Sequence, residues 1–324
     1  MTVIVKSSVK LLRNISGFNF MPKLNEVDAL DIIKLLEPKI LKLGYEKRDV
    51  LKFSSLQKLE YIEREILKAK FMENNISAYY VKDNSPEILL NESNHLVIRK
   101  SCRNKNLEEI FKEVFEVEDF LDKEVNFAFD SELGYLTTRP INVGTGLIII
   151  HKLHLPALNF YGIDDISRSL LRLGYSLDSY KDKSGKSLGN MFNLFFESTI
   201  GCSEEVYIKK METILKEVIS LEEEAEKKMY LDSIITLEDM VNRSLGILRN
   251  ARILTEEEMI HCMSNIDLGI TLSILKANRD FDFYKEMNKL KNGYLQLERG
   301  SILDLKSRDI LRANKSRALM KEVF

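Results

Sequence analysis

GYLTTRPINVGTGL, residues 134–147, separates two apolar runs of the chain, at residues 126–129 and 147–158. Gly144 and Gly146 can adopt backbone angles that other residues avoid, and the proline before them fixes φ at the preceding turn. A polar, glycine-containing segment between two apolar runs predicts a strand, a tight loop and a second strand. On composition alone, the segment is more typical of an ordinary loop without a special function.

Length and composition indicate a globular protein. The 324-residue chain is 44% hydrophobic and 30% charged, which is enough to bury the core of one large domain or of two. Its formal net charge of −2 gives no indication of nucleic acid or a membrane surface as partner. No apolar run reaches the roughly 18 residues of a transmembrane helix, and the N-terminus lacks the apolar centre of a signal peptide.

Cysteine and histidine usage favours a cytoplasmic protein without a structural metal. Cys102, Cys202 and Cys262 are scattered and odd in number, which fits free thiols in a reducing compartment better than disulfides or a zinc site. His151 and His154 lie three apart in a strand-like run, so we expect them on opposite faces. We therefore expect no metal shared between them.

The first 231 residues alternate between helical and strand-like patterns. Asn25 predicts the cap of a helix ending before Gly44, and Ser203 predicts the cap of a long helix ending near residue 231. In that long helix the charged segment 222–228 is typical of a solvated face. Further helices are predicted at residues 56–71, 107–122 and 163–173. Strands are predicted at residues 3–14, 76–81, 87–90, 96–98, 175–180 and 191–196.

From residue 232 onward the sequence predicts helices only. The segments TLED at residues 236–239 and TEEE at 255–258 have the spacing of capping boxes, and 268–276 and 307–323 are helical in pattern. We therefore predict two domains: an α/β domain at residues 1–231 and an all-helical domain at 232–324. Because the second is small, we expect it to pack on the first or on another chain.

Six short motifs occur in an order and spacing that together are specific. They are KSSVKLLRN at 6–14, NESNHL at 91–96, GYLTTRPINVGTGL at 134–147, HLPAL at 154–158, LGN at 188–190 and SRDILRA at 307–313. The chain thereby resembles the ATP:guanido phosphotransferase (phosphagen kinase) family, most closely the bacterial protein-arginine kinases, which share the helical C-terminal part. The resemblance implies an α+β fold: a largely antiparallel sheet flanked by helices, followed by an all-helical C-terminal domain. It also implies transfer of the γ-phosphoryl group of ATP to a guanidinium nitrogen.

The family grips the phosphates of ATP largely with arginines, because a planar guanidinium can contact two oxygens at once. Most of those positions differ here. Arginines of the family are replaced here by Ser8, Lys10, Val97 and Ile148. Acidic residues of the family are replaced by Ser93 and Asn94, and a cysteine by Arg139. An ungapped alignment also places Asp178 and Lys183 at the positions of an arginine and a second glutamate. The resemblance leaves Lys10, Arg13 and Arg139 as candidate nucleotide-binding residues and Glu92 as the candidate catalytic carboxylate.

The size of this loss predicts a pseudokinase. A charge-assisted hydrogen bond contributes roughly 1.5–3 kcal/mol, so losing about three removes on the order of 5–9 kcal/mol from a triphosphate site. We expect no cofactor for such a protein. The alternative is an active ATP-dependent protein-arginine kinase that uses Mg²⁺, with Lys10, Arg13 and Arg139 as the cations and Glu92 as the carboxylate.

One functional motif of the protein-arginine kinases persists, in the C-terminal region. Arg308 and Asp309 resemble the pair that binds phosphoarginine there: the arginine would pair with the phosphate and the aspartate with the guanidinium, near a helix N-terminus. The alternative is that Asp309 only caps the helix. We hypothesise a protein that binds phosphoarginine-bearing or arginine-containing proteins, or an active protein-arginine kinase, in protein quality control or a stress response. A third hypothesis is a purely structural homodimer partner.

Overall fold

The computed structural model describes residues 3–103, 107–181, 185, 187–196 and 200–324. The strands are β1 (Ile4–Arg13), β2 (Glu46–Arg48), β3 (Ala78–Val81), β4 (Glu87–Leu90), β5 (Leu96–Cys102), β6 (Phe129–Asp130), β7 (Gly134–Tyr135), β8 (Leu147–His154), β9 (Tyr175–Lys181) and β10 (Ser187–Phe196). The helices are α1 (Glu26–Lys42), α2 (Ser55–Glu63), α3 (Ala69–Met72), α4 (Leu107–Asp122), α5 (Pro156–Tyr161), α6 (Asp164–Arg172), α7 (Glu204–Asp232), α8 (Ile234–Asn250), α9 (Glu256–Thr271), α10 (Phe283–Lys289), α11 (Asn292–Arg299) and α12 (Leu305–Val323).

Eight strands form one sheet in the order β2-β3-β4-β5-β1-β8-β10-β9, and every neighbouring pair in it is antiparallel. β1 lies inside the sheet, where Lys10 is opposite Arg99 of β5 and Ile148 of β8. β6 and β7 form a separate hairpin. The predicted α+β fold with a largely antiparallel sheet and flanking helices is confirmed.

The two faces of the sheet have different surroundings, as β1 shows. Val9 and Leu11 are fully buried in a core shared with residues of α1, α4 and α7. Leu12 belongs to a second cluster, with residues from the segment 50–72. Because side chains alternate along a strand, Lys10 shares the face of Leu12. This second face carries the candidate site.

The glycines of the loop at residues 134–147 have the expected conformations. Gly144 and Gly146 have φ of 112° and 62°. The N–H of Leu12 donates to the carbonyl oxygen of Gly146 at 2.8 Å. A Cβ on Gly146 would lie only 2.6 Å from the carbonyl oxygen of Leu12. The loop therefore lies directly against β1, which only a glycine permits. The predicted strand after it ends earlier than expected, because Pro156 begins α5.

Several local predictions need correction. α1 is capped by Asn25 as predicted. Its apolar spacing predicts a buried stripe of Val27, Leu30, Ile33 and Leu36; Ile33 and Leu36 are buried, but Val27 is 67% exposed and Leu30 39%. The helix predicted at 56–71 ends at Glu63, and a turn separates it from α3. α7 begins after the predicted cap Ser203 and extends to Asp232. The expectation that its segment 222–228 is solvated was wrong, since Glu222 and Glu226 are buried.

The C-terminal part consists of α8–α12 in the described residues. α8 begins before Thr236, so the predicted capping box there was wrong. Thr255 caps α9, which extends to Thr271 and so contains the start of the helix predicted at 268–276. Residues of α8, α9 and α12 share a core with Leu188 and Met191 of β10, so this part packs on the sheet. No helix in the described residues is long and apolar enough to cross a membrane.

Candidate functional site

Two asparagines bring three of the sequence motifs together. Asn94 Oδ1 accepts hydrogen bonds from Asn14 Nδ2 at 3.1 Å and from the Thr138 N–H at 2.8 Å. Asn14 Oδ1 in turn accepts from the His95 N–H at 3.0 Å. The end of β1, the turn before β5 and the loop before β8 are therefore fixed to one another. The neutral amide of Asn94 satisfies these donors, although the resemblance implies an aspartate at this position.

These loops border a cavity of about 430 Å³ above the second face of the sheet, which we call the cleft. Three of the four candidates for the nucleotide site, Lys10, Glu92 and Arg139, line it. The other residues that line the cleft are Leu12, Ile62, Glu65, Ile66, Leu67, Lys68, Leu89, Ser93, Val97, Arg99, Asn142 and Ile148. A cavity of this size is typical of a small-molecule site.

Arg13 does not line the cleft. It is 1% exposed, and its Nε donates to Glu118 Oε1 at 2.7 Å. Its Nη1 donates to the carbonyl oxygen of Thr145 at 2.8 Å, and the guanidinium stacks 3.4 Å from the centre of the Tyr135 ring. The guanidinium therefore connects β1, α4 and the loop before β8.

Carboxylates already neutralise part of the cleft's positive charge. Lys68 pairs with Glu92 at 2.8 Å, and Arg99 pairs with Glu87 at 2.7 Å. Burial raises the pKa of Glu92, but hydrogen bonds from Lys68 and Ser93 outweigh it and hold that pKa below its ordinary value. Glu92 is therefore a weak general base.

Lys10 has no such partner. Within the described residues, its ammonium group makes no hydrogen bond or ion pair. Burial and the neighbouring Arg99 lower its pKa, while Glu92 acts in the opposite direction. The backbone of Arg139 is fixed, since its carbonyl oxygen accepts from Thr137 Oγ1 and from the Asn142 N–H, while its side chain is exposed.

The floor of the cleft is apolar. Val97 is 2% exposed and packs in one cluster with Leu12, Leu67 and Leu89, and Ile148 packs against that cluster. Val97 and Ile148 stand at two positions where the resemblance implies phosphate-binding arginines. An anion placed there would lose hydration without gaining a donor, which is unfavourable.

Asp178, at another aligned position, does not line the cleft. Asp178 is exposed on β9, and Lys183 lies outside the described residues. Sequence reasoning missed Arg99, although a strand period of two places it on the same face as Val97. It also missed Lys68 and Glu65, which reach the cleft only because α2 ends early.

Mg²⁺·ATP is the substrate complex that the resemblance implies. The groups that line the cleft do not fit it, because the positions meant for the phosphates have hydrocarbon side chains and two of the cations are paired with carboxylates. Among the described residues, no group of three or more histidine, cysteine or acidic side chains is arranged to hold a metal ion.

Arg308 and Asp309 lie in the first turns of α12. Asp304 caps this helix by accepting from the Ser307 N–H at 2.9 Å, so the alternative in which Asp309 is the cap was wrong. Asp309 Oδ1 accepts from Arg312 Nη1 at 2.6 Å. The Nε of Arg308 is buried without a partner in the described residues.

Arg312 is the residue of this second site that sequence reasoning missed. It is fully buried and donates to the carbonyl oxygens of Leu290 at 2.9 Å and Leu254 at 2.8 Å, besides Asp309. It therefore links Asp309 to the segment before α9 and to the end of α10. Its position three residues after Asp309 in SRDILRA was the available signal, because side chains three apart on a helix are neighbours.

Comparison with known proteins gives a consistent result. Residues 31–225 match the family described as ATP:guanido phosphotransferase, C-terminal catalytic domain, and residues 234–323 match the protein-arginine kinase McsB C-terminal domain. The chain is 32% identical to a protein-arginine kinase of Geobacillus sp. (strain WCH70), over 98% of this chain and 91% of the relative. It is 31% identical to that of Bacillus licheniformis, over 98% and 90% of the two chains.

Solved structures show the same fold at low sequence identity. The duplicated taurocyamine kinase from Schistosoma mansoni with bound transition state analog components superposes with a TM-score of 0.63 at 16% identity, covering 74% of this chain and 37% of that one. Lombricine kinase superposes with a TM-score of 0.60 at 15% identity, covering 72% and 69%.

Proposed function

The chain belongs to the ATP:guanido phosphotransferase family and has the C-terminal domain of the protein-arginine kinases, and from this premise we propose that it is a pseudokinase. It no longer transfers phosphate and instead binds phosphoarginine-bearing proteins or a partner kinase through its C-terminal helices. A role in protein quality control or a stress response, in the cytoplasm, belongs to the same proposal.

The observation that carries the proposal is the apolar floor of the cleft. Phosphoryl transfer depends on positioned cations and a metal more than on covalent help from the protein. Val97 and Ile148 instead place hydrocarbon at two positions where the resemblance implies phosphate-binding arginines. The candidate catalytic carboxylate, Glu92, already forms an ion pair with Lys68. Each lost charge-assisted contact weakens binding by roughly 1.5–3 kcal/mol.

Nucleotide binding and transfer test the first half of the proposal. A ligand at roughly 100 times its Kd adds about 2.7 kcal/mol to stability, which a thermal unfolding curve detects. We expect no shift at millimolar Mg²⁺·ATP and no labelled phosphate on the arginines of a test protein. The protein-arginine kinase of Geobacillus sp. is the positive control. A clear shift together with labelled arginine would overturn the proposal.

The second half concerns Arg308 and Asp309. The unpaired Nε of Arg308 supports a role in binding a phosphate, and Asp309 has a second carboxylate oxygen beside the one bonded to Arg312. We expect a phosphoarginine peptide to bind at least tenfold more tightly than the same peptide with arginine. Arg308→Met should abolish that preference, whereas Asp309→Asn should weaken binding of both peptides, because both contain the guanidinium. The asparagine retains an acceptor for Arg312.

The exposed Arg299, in the last turn of α11, provides a matched control. Arg299→Met removes a cation from a neighbouring helix and should leave the preference for phosphoarginine unchanged. Equal binding of the two peptides to the unmodified protein would contradict a phosphoarginine site. A homodimer, or a complex with an active protein-arginine kinase, would then be the remaining binding role, and solution mass with and without that kinase would distinguish them.

The second candidate function is an active protein-arginine kinase with a rebuilt site. It is favoured by one observation: Lys10 and Arg139, neither paired with a carboxylate within the described residues, line the same cleft as Glu92. Lysine can bind phosphate as a point charge. If phosphate transfer is detected, Lys10→Met should lower kcat/KM at least a hundredfold, whereas Lys285→Met, outside the cleft, should have no effect.

A further inference from the structure

The cleft combines an apolar floor with a cation, Lys10, that forms no ion pair in the described residues, although Glu92 and Glu65 act on its charge from a distance. Lys10 extends from β1 between Arg99 and Ile148. Lys68 and Arg99, the cations nearest to it, are each paired with a carboxylate, whereas Lys10 makes no ion pair within the part of the chain that the structure describes. A partly buried ammonium without a partner is unfavourable, and a bound anion would relieve it.

The chemistry of the lining restricts the charge of such an anion. Glu65 and Glu92 also line the cleft, each already paired with a lysine, so a ligand with several negative charges would lie beside these carboxylates with only Lys10 and Arg139 as lining cations that form no ion pair in the described residues. A polyphosphate is therefore disfavoured, and an uncharged hydrocarbon would leave Lys10 as it is. A ligand with a single negative charge can form an ion pair with the Lys10 ammonium and needs no second cation.

The floor determines the rest of the ligand. Leu12, Val97 and Ile148 present hydrocarbon beside Lys10, and burying apolar surface contributes roughly 25 cal/mol per Å². The cavity of about 430 Å³ is within the range of small-molecule sites and too small for a folded partner. Arg139 also lines the cleft, and its exposed guanidinium contributes positive potential on the solvent side.

We propose that the cleft binds a small amphipathic monoanion, a carboxylate on an aromatic or branched hydrocarbon body, with the carboxylate at Lys10 and the body on Leu12, Val97 and Ile148. This inference rests on the proposed function, since it requires that the cleft no longer holds ATP. It assigns the degenerate kinase cleft a ligand of a different chemical class.

The test compares three probes by calorimetry on the full-length protein. 4-Phenylbutyrate has both features, 4-phenylbutanol has the body without the charge, and inorganic phosphate has charge without the body. We expect saturable binding of the carboxylate and at least tenfold weaker binding of the other two. No saturable binding of the carboxylate, or equally tight binding of phosphate, would overturn the proposal.

Three variants locate the binding. Lys10→Met should weaken binding of 4-phenylbutyrate at least tenfold while leaving 4-phenylbutanol unchanged, and because the half-buried ammonium forms no ion pair in the described residues, its removal breaks none. Val97→Thr keeps the shape of the floor but adds a hydroxyl, so it should weaken both aromatic probes. Lys285→Met is the control, because Lys285 is exposed on α10 outside the cleft. Unchanged carboxylate binding in Lys10→Met would place the ligand elsewhere and refute the assignment.

Mg²⁺·ATP in the same titration separates the two proposals. If ATP binds in the cleft and the carboxylate does not, the proposed loss of nucleotide binding is wrong and this inference fails with it. If neither ATP nor the carboxylate binds, only this inference fails.

Discussion

Glu222 shows how one buried side chain can make stability depend on pH. It is fully buried on α7, and its two carboxylate oxygens accept from the N–H groups of Ala157 at 2.8 Å and Leu158 at 2.9 Å, at the start of α5. Burial raises its pKa to about 8, although the two N–H donors act in the opposite direction. Burial likewise raises the pKa of Glu226 and of Glu63 to about 7.

We predict that these three carboxyls make the free energy of unfolding fall as pH rises from about 5 to about 8. The ordinary pKa of a glutamate is 4.5, so in this window the unfolded chain has lost protons that the folded chain retains. Raising the pH therefore favours the unfolded state. Below this window both states are protonated, and above it both are ionised, so the dependence on these groups disappears. Denaturant unfolding at pH 5.5, 6.5, 7.5 and 8.5 measures it.

Glu222→Gln should flatten this dependence, because glutamine keeps an acceptor for α5 and cannot ionise. The change in slope has an upper limit of about 1.4 kcal/mol per pH unit, the effect of one proton. Glu217→Gln, at an exposed position on the same helix, is the control and should leave the slope unchanged. An unchanged slope in Glu222→Gln would show that this carboxyl does not titrate differently in the folded state.

At the scale of single residues, the sequence predicted part of the candidate site. Lys10 and Val97 line one cleft, and the family motifs place them on paired strands; their part in binding stays a prediction. Arg13 is three residues after Lys10 on one strand, and that spacing already indicated the opposite face. Lys68 could not be predicted, since its role depends on a contact with Glu92 that no local pattern contains. Arg312 was missed although its spacing from Asp309 was a local signal, and its burial and its bonds to Leu254 and Leu290 depend on distant segments.

The early end of α2 shows the same limit for a whole element. Apolar spacing predicts a helix through residue 71, but Glu63 Oε2 accepts from the Gly293 N–H at 2.6 Å, and Lys291 Nζ donates to the Glu63 carbonyl oxygen at 3.3 Å. Glu65 then adopts φ of +57° and pairs with Lys152 of β8. Contacts across more than 80 residues therefore decide where this helix ends.

Close packing of α2 on α11 leads to a second prediction. A Cβ on Gly293 would lie 2.7 Å from the Glu60 nitrogen and 2.8 Å from its Cα, so Gly293→Ala must push the two helices apart. We expect it to lower the free energy of unfolding by about 1–3 kcal/mol. Gly246→Ala is the matched control: that glycine lies inside α8 with nothing within 4 Å of its would-be Cβ, so alanine should stabilise by about 0.5–1 kcal/mol. Stabilisation by both substitutions would contradict the close approach of α2 and α11.

At the scale of the molecule, the sequence predicted the elements better than their association. The antiparallel sheet and most helices follow from strand alternation, caps and the family motifs. The division into domains at 1–231 and 232–324 stays a prediction, and the hydrophobic cores cross it. Leu237 and Val241 of α8 belong to the main core of the sheet, whereas Val5 and Met191 belong to the core of the C-terminal helices.

Because both cores contain residues from both parts, we predict that the chain unfolds as one cooperative unit. Met263 on α9 is fully buried in the core of the C-terminal helices, so Met263→Ala should cost about 2–5 kcal/mol. Hydrogen exchange should then accelerate equally in α9 and in β8, because strands at the centre of the sheet exchange only when the whole unit opens. Ile235→Ala, at a position 80% exposed, is the control. It should change the free energy of unfolding by no more than about 0.5 kcal/mol and leave hydrogen exchange in α9 and β8 unchanged. Faster exchange confined to the C-terminal helices of Met263→Ala would show instead that the two parts open independently, in which case packing across residue 232 adds little to the stability of the sheet.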